Sequence, residues 1–103
     1  MKTFRTLELA VEFYELSEKS EVKGILRDQL LRAASSISLN LSEGNGKFSA
    51  KEKKRFYKIA YASLKESQTI LRLAKVSDDE FLEKADHLGA SLYKLIQSNI
   101  SAI

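Results

Sequence analysis

Helix-breaking residues are scarce in this sequence, and their positions constrain the fold more than any other feature. Proline is absent, and the chain has four glycines: Gly24, Gly44, Gly46 and Gly89. Because proline and glycine are the residues that most strongly interrupt a regular helix, long uninterrupted helices are favoured. Two Ser-x-x-Glu capping boxes, which begin at Ser49 and Ser77, mark further helix starts.

Hydrophobic periodicity divides the chain into four helices. Apolar residues recur at intervals of three and four over about residues 6–18, 20–43, 50–75 and 78–98. The connections are short, so successive helices should be antiparallel. The sequence therefore predicts an all-α, antiparallel up-down four-helix bundle, with residues 1–103 forming a single domain.

One line of residues on each of the last three helices is predicted to face the core. In helix two the line is Leu26, Leu30, Ala33, Ile37 and Leu41, with Gly44 beyond it. In helix three it is Phe56, Ala60, Ser63, Ser67, Ile70 and Ala74, and in helix four Phe81, Ala85, Leu88, Leu92 and Leu95. We also expect Gly44-Asn45-Gly46 to end helix two in the left-handed conformation.

The first helix carries two apolar lines rather than one. Leu7, Val11 and Tyr14 form the first line, which we assign to the core. The second line and a small-residue face of helix two are predicted to form a subunit interface: Leu9, Phe13, Leu16, Leu31, Ser35 and Leu39. The alternative is that these leucines are scattered surface residues without a role.

Charge is distributed unevenly along the chain. The net charge of +3 is the sum of −1 over residues 1–20 (three basic, four acidic), +7 over residues 21–76 (twelve basic, five acidic) and −3 over residues 77–103 (two basic, five acidic). A basic middle between acidic ends concerns the choice of partners and not the fold.

Helix three carries a ridge of one sign, on the side predicted to lie away from the core. Its members recur at intervals of three and four: Lys51, Lys54, Lys58, Tyr61, Lys65, Gln68 and Arg72. Lys47 lies just before the helix. No acidic residue interrupts the ridge, which is about 30 Å long at 1.5 Å per residue. An RNA or DNA backbone is the partner that such a ridge predicts. The alternative is a solvated face that is neutralised by acids of neighbouring subunits.

A group of polar residues gathers near the end of helix two. Asn40 and Glu43 precede Gly44, and Glu66 occupies a comparable position on helix three. Two carboxylates could perform acid–base catalysis if they were buried together. No nucleophile, cofactor loop or further acid accompanies them, so we interpret the four residues as a structural polar cluster that fixes helix register.

Several classes of function are disfavoured by composition. The chain has no cysteine, which excludes disulfides and thiolate metal sites, and its one histidine, His87, is too few for the two Glu-x-x-His pairs of di-iron bundles. Gly44-x-Gly46 follows a helix, unlike a phosphate-binding loop. We predict a non-enzymatic protein with no cofactor and no metal. No apolar run approaches a bilayer span, so a cytoplasmic location without a membrane partner is expected.

The stretch QLLRAASSISLNLSEGNGKFSAKE resembles a family signature. The bacterial four-helix-bundle proteins encoded by intervening sequences in large-subunit ribosomal RNA genes read Q-L-x-R-A-A-x-S-I-x-x-N-[IL]-[AS]-E-G-x-G-[RK], followed by S-x-x-E. The agreeing residues include Gln29, Arg32, Ser36, Asn40, Glu43, Gly44, Gly46, Ser49 and Glu52. RFYKIAYASLKES resembles the second block of the family through Arg55, Phe56, Ile59, Ala60, Ser63, Leu64 and Glu66.

The resemblance implies an assembly and a partner. Such proteins form up-down bundles that assemble as homo-oligomers, typically a ring of five. The accessory protein of diversity-generating retroelements is similar in fold, binds nucleic acid through a basic surface and works with a reverse transcriptase. The implied function is therefore a pentameric nucleic-acid-binding protein. The alternative is an accessory scaffold for a partner enzyme such as a reverse transcriptase, without nucleic-acid binding of its own.

Overall fold

The chain folds into four α-helices that pack around one core. The computed structural model describes the backbone of residues 2–101 and the side chains of residues 4–98. The helices are α1 (Lys2–Lys19), α2 (Gly24–Asn45), α3 (Ala50–Leu73) and α4 (Asp79–Ser101). Each helix packs on the next one along the chain, and α1 packs on α4. The predicted all-α up-down bundle is confirmed, and every predicted helix boundary lies within four residues of the observed one.

Helix starts follow capping chemistry, with one change from the prediction. The Ser49 hydroxyl accepts a hydrogen bond from the Glu52 amide at 3.1 Å, as predicted. At the start of α4 the capping residue is Asp78, whose carboxylate accepts a hydrogen bond from the Phe81 amide at 3.2 Å. The predicted cap at Ser77 is therefore wrong by one residue. Asp caps a helix as well as Ser does, so the sequence permits either register.

Gly44 does not end α2, which corrects the predicted left-handed stop. The helix continues to Asn45, and the Gly46 amide donates to the carbonyls of Ser42 and Glu43, both at 3.2 Å. Gly46 has a φ of −85°, an ordinary right-handed value. Gly44 is buried instead, and a Cβ placed there would lie 2.7 Å from Cε1 of Tyr57. It is the close approach of the tyrosine ring that requires glycine at this position.

The predicted core lines of α2 and α4 are confirmed. The fully buried residues of these lines are Leu30, Ala33, Ile37, Leu41, Phe81, Ala85, Leu88, Leu92 and Leu95. Leu26 is half-buried and packs against the same core. Ala34, which was not assigned to the core line, is also fully buried and widens the α2 contact.

The core line of α3 lies one residue further along than predicted. Tyr57, Leu64 and Leu71 are buried, together with the predicted Ala60, Ser67 and Ile70. Phe56, Ser63 and Ala74, which were predicted to face the core, are half-buried at its edge. The helix carries apolar residues on two adjacent lines, and large side chains occupy the inner one. The Ser67 hydroxyl donates to the Ser63 carbonyl at 2.9 Å, which satisfies its polar atom in the core.

The second predicted apolar line of α1 lies in the core, whereas Leu7 and Tyr14 of the first line pack only at its edge. Leu9 and Phe13 are 4% and 0% exposed and belong to the core of the single chain, so their assignment to a subunit interface is wrong. Val11, which was assigned to the core, is 44% exposed. Thr6, Ala10 and Ser17 are buried on the same side as Phe13, so the core side of α1 includes small and hydroxyl residues that the apolar pattern did not count. The Ser17 hydroxyl donates to the Phe13 carbonyl at 2.9 Å.

Polar contacts join α1 to α4. The hydroxyls of Thr6 and Ser91 lie 2.6 Å apart. The Lys84 ammonium donates to the Glu12 carboxylate at 2.9 Å, and this hydrogen bond and the ammonium charge lower the pKa of Glu12. The two contacts fix an antiparallel register in which the start of α1 lies beside the end of α4.

Candidate nucleic-acid interface

The basic ridge of α3 is present at the surface, but α4 divides it into two unlike halves. Lys51, Lys58, Lys65 and Arg72 are exposed, and Lys54 and Tyr61 are half-buried. The Gln68 side-chain amide donates to the Asp86 carboxylate at 3.4 Å, which sets the register of α3 against α4. Residues 78–86, with five acids and one lysine, therefore run beside the second half of the ridge. No acid follows Asp86 in the sequence.

The positive charge is consequently concentrated at one end of the bundle. There the end of α2 meets the start of α3, beside the acid-free end of α4. We call this surface the basic pole, and it comprises Lys47, Lys51, Lys54, Arg55 and Lys58. Lys65 and Arg72, also predicted to bind nucleic acid, lie in the half of the ridge that the α4 acids border. The Lys65 ammonium lies 5.2 Å from the centre of the Tyr61 ring.

Three lysines of the basic pole have no acidic partner among the described side chains. Lys51, Lys54 and Lys58 form no salt bridge with any described side chain. They rise along α3 over seven residues, which is about 10 Å. Like charges at this spacing repel one another, so the arrangement is mildly destabilising on its own. An anion bound across the three ammonium groups would relieve that repulsion.

The remaining two cations of the basic pole are held by an aromatic ring. The Lys47 ammonium lies 5.3 Å and the Arg55 guanidinium 5.2 Å from the centre of the Phe56 ring. Lys47 also pairs with Glu43 at 3.6 Å, and Arg55 with Glu52 at 3.7 Å. All four charged groups are at least 36% exposed, so these pairs contribute on the order of 0–1 kcal/mol each. The contacts orient the cations without neutralising them strongly.

Phe48 is the residue of this surface that sequence reasoning missed. It lies in the turn between α2 and α3, and its side chain is fully exposed to solvent. No ring contact of Phe48 is present among the described residues. A phenylalanine between a lysine and a helix cap was a signal in the sequence, because turns favour polar residues.

The four residues of the predicted polar cluster do not form one cluster. The Asn40 side-chain amide donates to the carbonyl and hydroxyl of Ser36 at 2.8 and 3.0 Å, and the Ser36 hydroxyl lies 2.9 Å from that of Ser63. This chain of contacts joins α2 to α3. Glu43 and Glu66 are exposed, and neither bonds to Asn40 among the described residues. The structural role is therefore Asn40's, and the carboxylates are not buried together.

Tyr57 holds the turn between α2 and α3. Its hydroxyl donates to the side-chain carbonyl of Asn45 at 2.6 Å, and its ring packs against Gly44. Burial raises the pKa of the Tyr57 hydroxyl. The Lys53 ammonium donates to the backbone carbonyl of Asn45 at 3.3 Å and so binds the carboxyl end of α2. The turn that carries the basic pole is thus held by α3.

Exposed apolar residues form a regular pattern on the outer face of α2 and α3. The Ser36–Ser63 contact sets an antiparallel register in which residues of the two helices lie opposite each other. Counting from that contact, we infer that Ile25 lies level with Leu73, Arg32 with Glu66, and Leu39 with Ile59. The three residues on each helix are spaced seven positions apart, and the side chains of the four apolar ones are 40–75% exposed. Of the residues predicted at a subunit interface, Leu39 lies on this face.

A second exposed apolar face lies along the outside of α1. Phe4 is 60% and Val11 44% exposed, and Leu7 and Tyr14 are half-buried beside them. Leu16, Leu31 and Ser35, which were also predicted at the interface, are half-buried. The described side chains therefore include two exposed apolar faces, and they differ in residue composition.

Other kinds of site find little support in the described residues. No group of three or more metal-binding side chains occurs there, and His87 is exposed. No helix in the described part of the chain is long and apolar enough to cross a membrane. A cavity of about 620 Å³ opens at the opposite end of the bundle, between the α1–α2 and α3–α4 turns. Its charged lining residues are Lys19, Glu21, Lys75 and Asp78, which mix signs and indicate no class of ligand.

Comparisons with known proteins give a family and a similar fold. Residues 4–100 match the protein family described as 23S rRNA-intervening sequence protein. A crystal structure of a protein of unknown function from the S23 ribosomal protein family of Bacteroides thetaiotaomicron VPI-5482 is similar in fold, with a TM-score of 0.68. The two sequences are 18% identical, over 99% of this chain and 97% of that chain. No curated protein matches the sequence.

Proposed function

The chain belongs to the 23S rRNA-intervening sequence protein family, and we propose that it is a non-enzymatic protein that binds nucleic acid through the basic pole. The observation that carries this proposal is the triad of Lys51, Lys54 and Lys58, which have no acidic partner among the described side chains and lie beside the end of α4, where no acid follows Asp86. Phosphates are the repeating anions that match such a row. Recognition of this kind positions a backbone and carries little sequence preference.

The size of the effect follows from counterion release. Each phosphate contact contributes about 0.7 to the slope of log K against log salt for a single strand. Loss of three contacts should therefore lower the slope by about 2, which is about 100-fold in affinity at 0.1 M salt.

The experiment compares two triple variants with the same net charge. One variant changes Lys51, Lys54 and Lys58 to Gln. The control changes Lys19, Lys23 and Lys75 to Gln, and these three lysines are exposed at the opposite end of the bundle. Anisotropy of labelled 20-nucleotide RNA and DNA is titrated at several salt concentrations. We expect the first variant to lose about 100-fold and the control to bind as the wild type does. Equal affinities for both variants would refute the basic pole as the site.

We also propose that the protein assembles as a homo-oligomer, with a ring of five as the expected form. A closed ring with one rotation axis brings two different patches of each subunit together, whereas a two-fold dimer uses one patch twice. Among residues 4–98 there are two unlike exposed apolar faces, one on α1 and one on α2–α3. Arg32 and Glu66 provide opposite charges in the middle of the α2–α3 face, which favours a specific register with a partner.

Light scattering tests the assembly. Val11→Asp places a charge on the α1 face, and Leu39→Asp places one on the α2–α3 face. Each substitution should shift the wild-type oligomer towards monomer. Tyr93→Asp is the control, since Tyr93 is 55% exposed on α4, away from both faces. A monomeric wild type would remove the proposal.

A scaffold for a partner enzyme is the second candidate function, and the exposed apolar faces are the observation that favours it. It predicts that wild-type protein binds no nucleic acid even at 50 mM salt. It also predicts that a partner protein co-purifies with the wild type under native expression and is lost with Leu39→Asp. Nucleic-acid binding by the wild type in the anisotropy titration would reject this candidate.

A further inference from the structure

Phe48 has no structural role that accounts for its exposure. Its ring is fully exposed, whereas burial of a phenylalanine side chain stabilises a protein by roughly 1.5–3 kcal/mol. The turn is held by other groups: the Ser49 cap, the Tyr57–Asn45 hydrogen bond and the Lys53 ammonium. Replacement of Phe48 by a polar residue would leave all of these contacts intact. The ring is therefore available for a ligand.

The ring lies next to the unpaired cations of the basic pole. Phe48 and Lys51 are three positions apart in the sequence, so their Cα atoms lie at most about 11 Å apart. Lys54 and Lys58 continue from Lys51 along the exposed side of α3. An aromatic face beside a row of ammonium groups matches a polyanion that also carries flat apolar rings.

We propose that Phe48 is a stacking platform for an unpaired base, and that the basic pole consequently prefers single-stranded nucleic acid to duplex. This inference rests on the proposed function, because the phosphates must first be held by Lys51, Lys54 and Lys58. Base–aromatic stacking is the interaction that proteins add to a positive groove when they bind single strands. The ligand class is a single strand of either RNA or DNA.

The preference for single strands follows from the accessibility of base faces. In a duplex each base is stacked on its neighbours, and a side chain can reach the faces only by opening a base step, at a cost of a few kcal/mol. In a single strand the faces are free. The phosphates of a duplex remain accessible to the lysines, so duplex binding should persist without the contribution of Phe48.

The test uses three substitutions at one position and two kinds of nucleic acid. Phe48→Ala removes the ring, Phe48→Leu keeps an apolar side chain without a π face, and Phe48→Trp keeps a π face. The probes are uridine and thymidine 20-mers and a 20-base-pair duplex. Because the chain contains no tryptophan, Phe48→Trp introduces a single indole whose fluorescence reports stacking directly.

We expect Phe48→Ala and Phe48→Leu to weaken binding of both 20-mers by at least about fivefold and to leave duplex binding unchanged. Phe48→Trp should retain wild-type affinity, and its fluorescence should be quenched by the single strands more than by the duplex. Wild-type affinity in Phe48→Ala, or equal losses for single strands and duplex, would overturn the inference while leaving the proposed function intact.

Two further results would also overturn the inference, and they differ in what they say of the proposed function. If Phe48→Ala changes the oligomer mass in light scattering and not the affinity for single strands, the ring contacts another protein chain and the proposed function stands. If the wild type binds none of the three probes, the proposed function fails, and the inference fails with it.

Discussion

Replacement of Gly44 by alanine should destabilise the fold although alanine is the better helix former. Gly44 lies inside α2, and an added Cβ would lie 2.7 and 3.0 Å from Cε1 and Cδ1 of Tyr57 and 3.1 Å from Cβ of Phe56. Carbon atoms in contact are ordinarily about 3.5–4.0 Å apart. The ring of Tyr57 is fully buried, and its hydroxyl is bonded to Asn45 at 2.6 Å. It cannot withdraw without the loss of that bond.

The magnitude follows from three contributions. Overpacking of a core costs about 1–3 kcal/mol. Displacement of the Tyr57 hydroxyl from Asn45 costs about 1 kcal/mol more. The higher helix propensity of alanine returns about 1 kcal/mol. The expected net loss is about 2 kcal/mol, or roughly 10 °C in Tm for a domain of this size.

The assay is urea unfolding followed by far-UV circular dichroism, at one fixed protein concentration. Gly89→Ala is the matched control, because a Cβ there would meet only the flexible end of Leu64, at 3.3 Å. We expect Gly89→Ala to be neutral or slightly stabilising. In a Tyr57→Leu background, where the ring is gone, the cost of Gly44→Ala should fall by at least about 1 kcal/mol. A Gly44→Ala variant as stable as the wild type would refute the reasoning.

Three further predictions concern stability. Gly24 has a φ of +64°, so Gly24→Ala should cost about 1 kcal/mol in the same urea assay despite open space around it. Because the pKa of Tyr57 is raised in the folded chain, its hydroxyl ionises at a lower pH in the unfolded chain than in the folded one. The contribution of Tyr57 to the free energy of unfolding is therefore fully present below pH 10 and is lost as pH rises above it. Tyr57→Phe should remove that component of an alkaline titration of unfolding. The lowered pKa of Glu12 acts in the opposite direction. Its contribution to the free energy of unfolding is present above pH 4.5 and is lost as pH falls below that value. Glu12→Gln should therefore reduce the change in the free energy of unfolding between neutral and acid pH.

Periodicity located the helices and two of the four core lines, and its errors in α1 and α3 have different physical origins. In α1 the core contains the hydroxyl residues Thr6 and Ser17, whose polar atoms are satisfied by hydrogen bonds inside the bundle, and a pattern of apolar residues does not count them. In α3 two adjacent lines both carry apolar residues, and the large side chains of Tyr57, Leu64 and Leu71 place the neighbouring line in the core.

Only part of the candidate site could be predicted from the sequence. The row of cations on α3 is a property of one helix and was visible in the sequence. That acids of α4 border one half of it depends on the contact between Gln68 and Asp86, which is a property of two helices together. The exposure of Phe48 likewise depends on how tightly Tyr57 and Lys53 hold the turn. Neither could be read from spacing along the chain.

The seam between α1 and α4 bears on how the molecule folds. The contacts Thr6–Ser91 and Glu12–Lys84 join residues 85 and 72 positions apart, whereas α2 and α3 are joined by a turn of four residues. Closure of a long loop loses more chain entropy than closure of a short one, so we expect the α2–α3 hairpin to form before the seam. Thr6→Ala should then raise the unfolding rate and leave the refolding rate almost unchanged in stopped-flow measurements. A slower refolding rate would contradict this order. The basic turn and its phenylalanine would thus be assembled, and able to meet a ligand, before the bundle has closed.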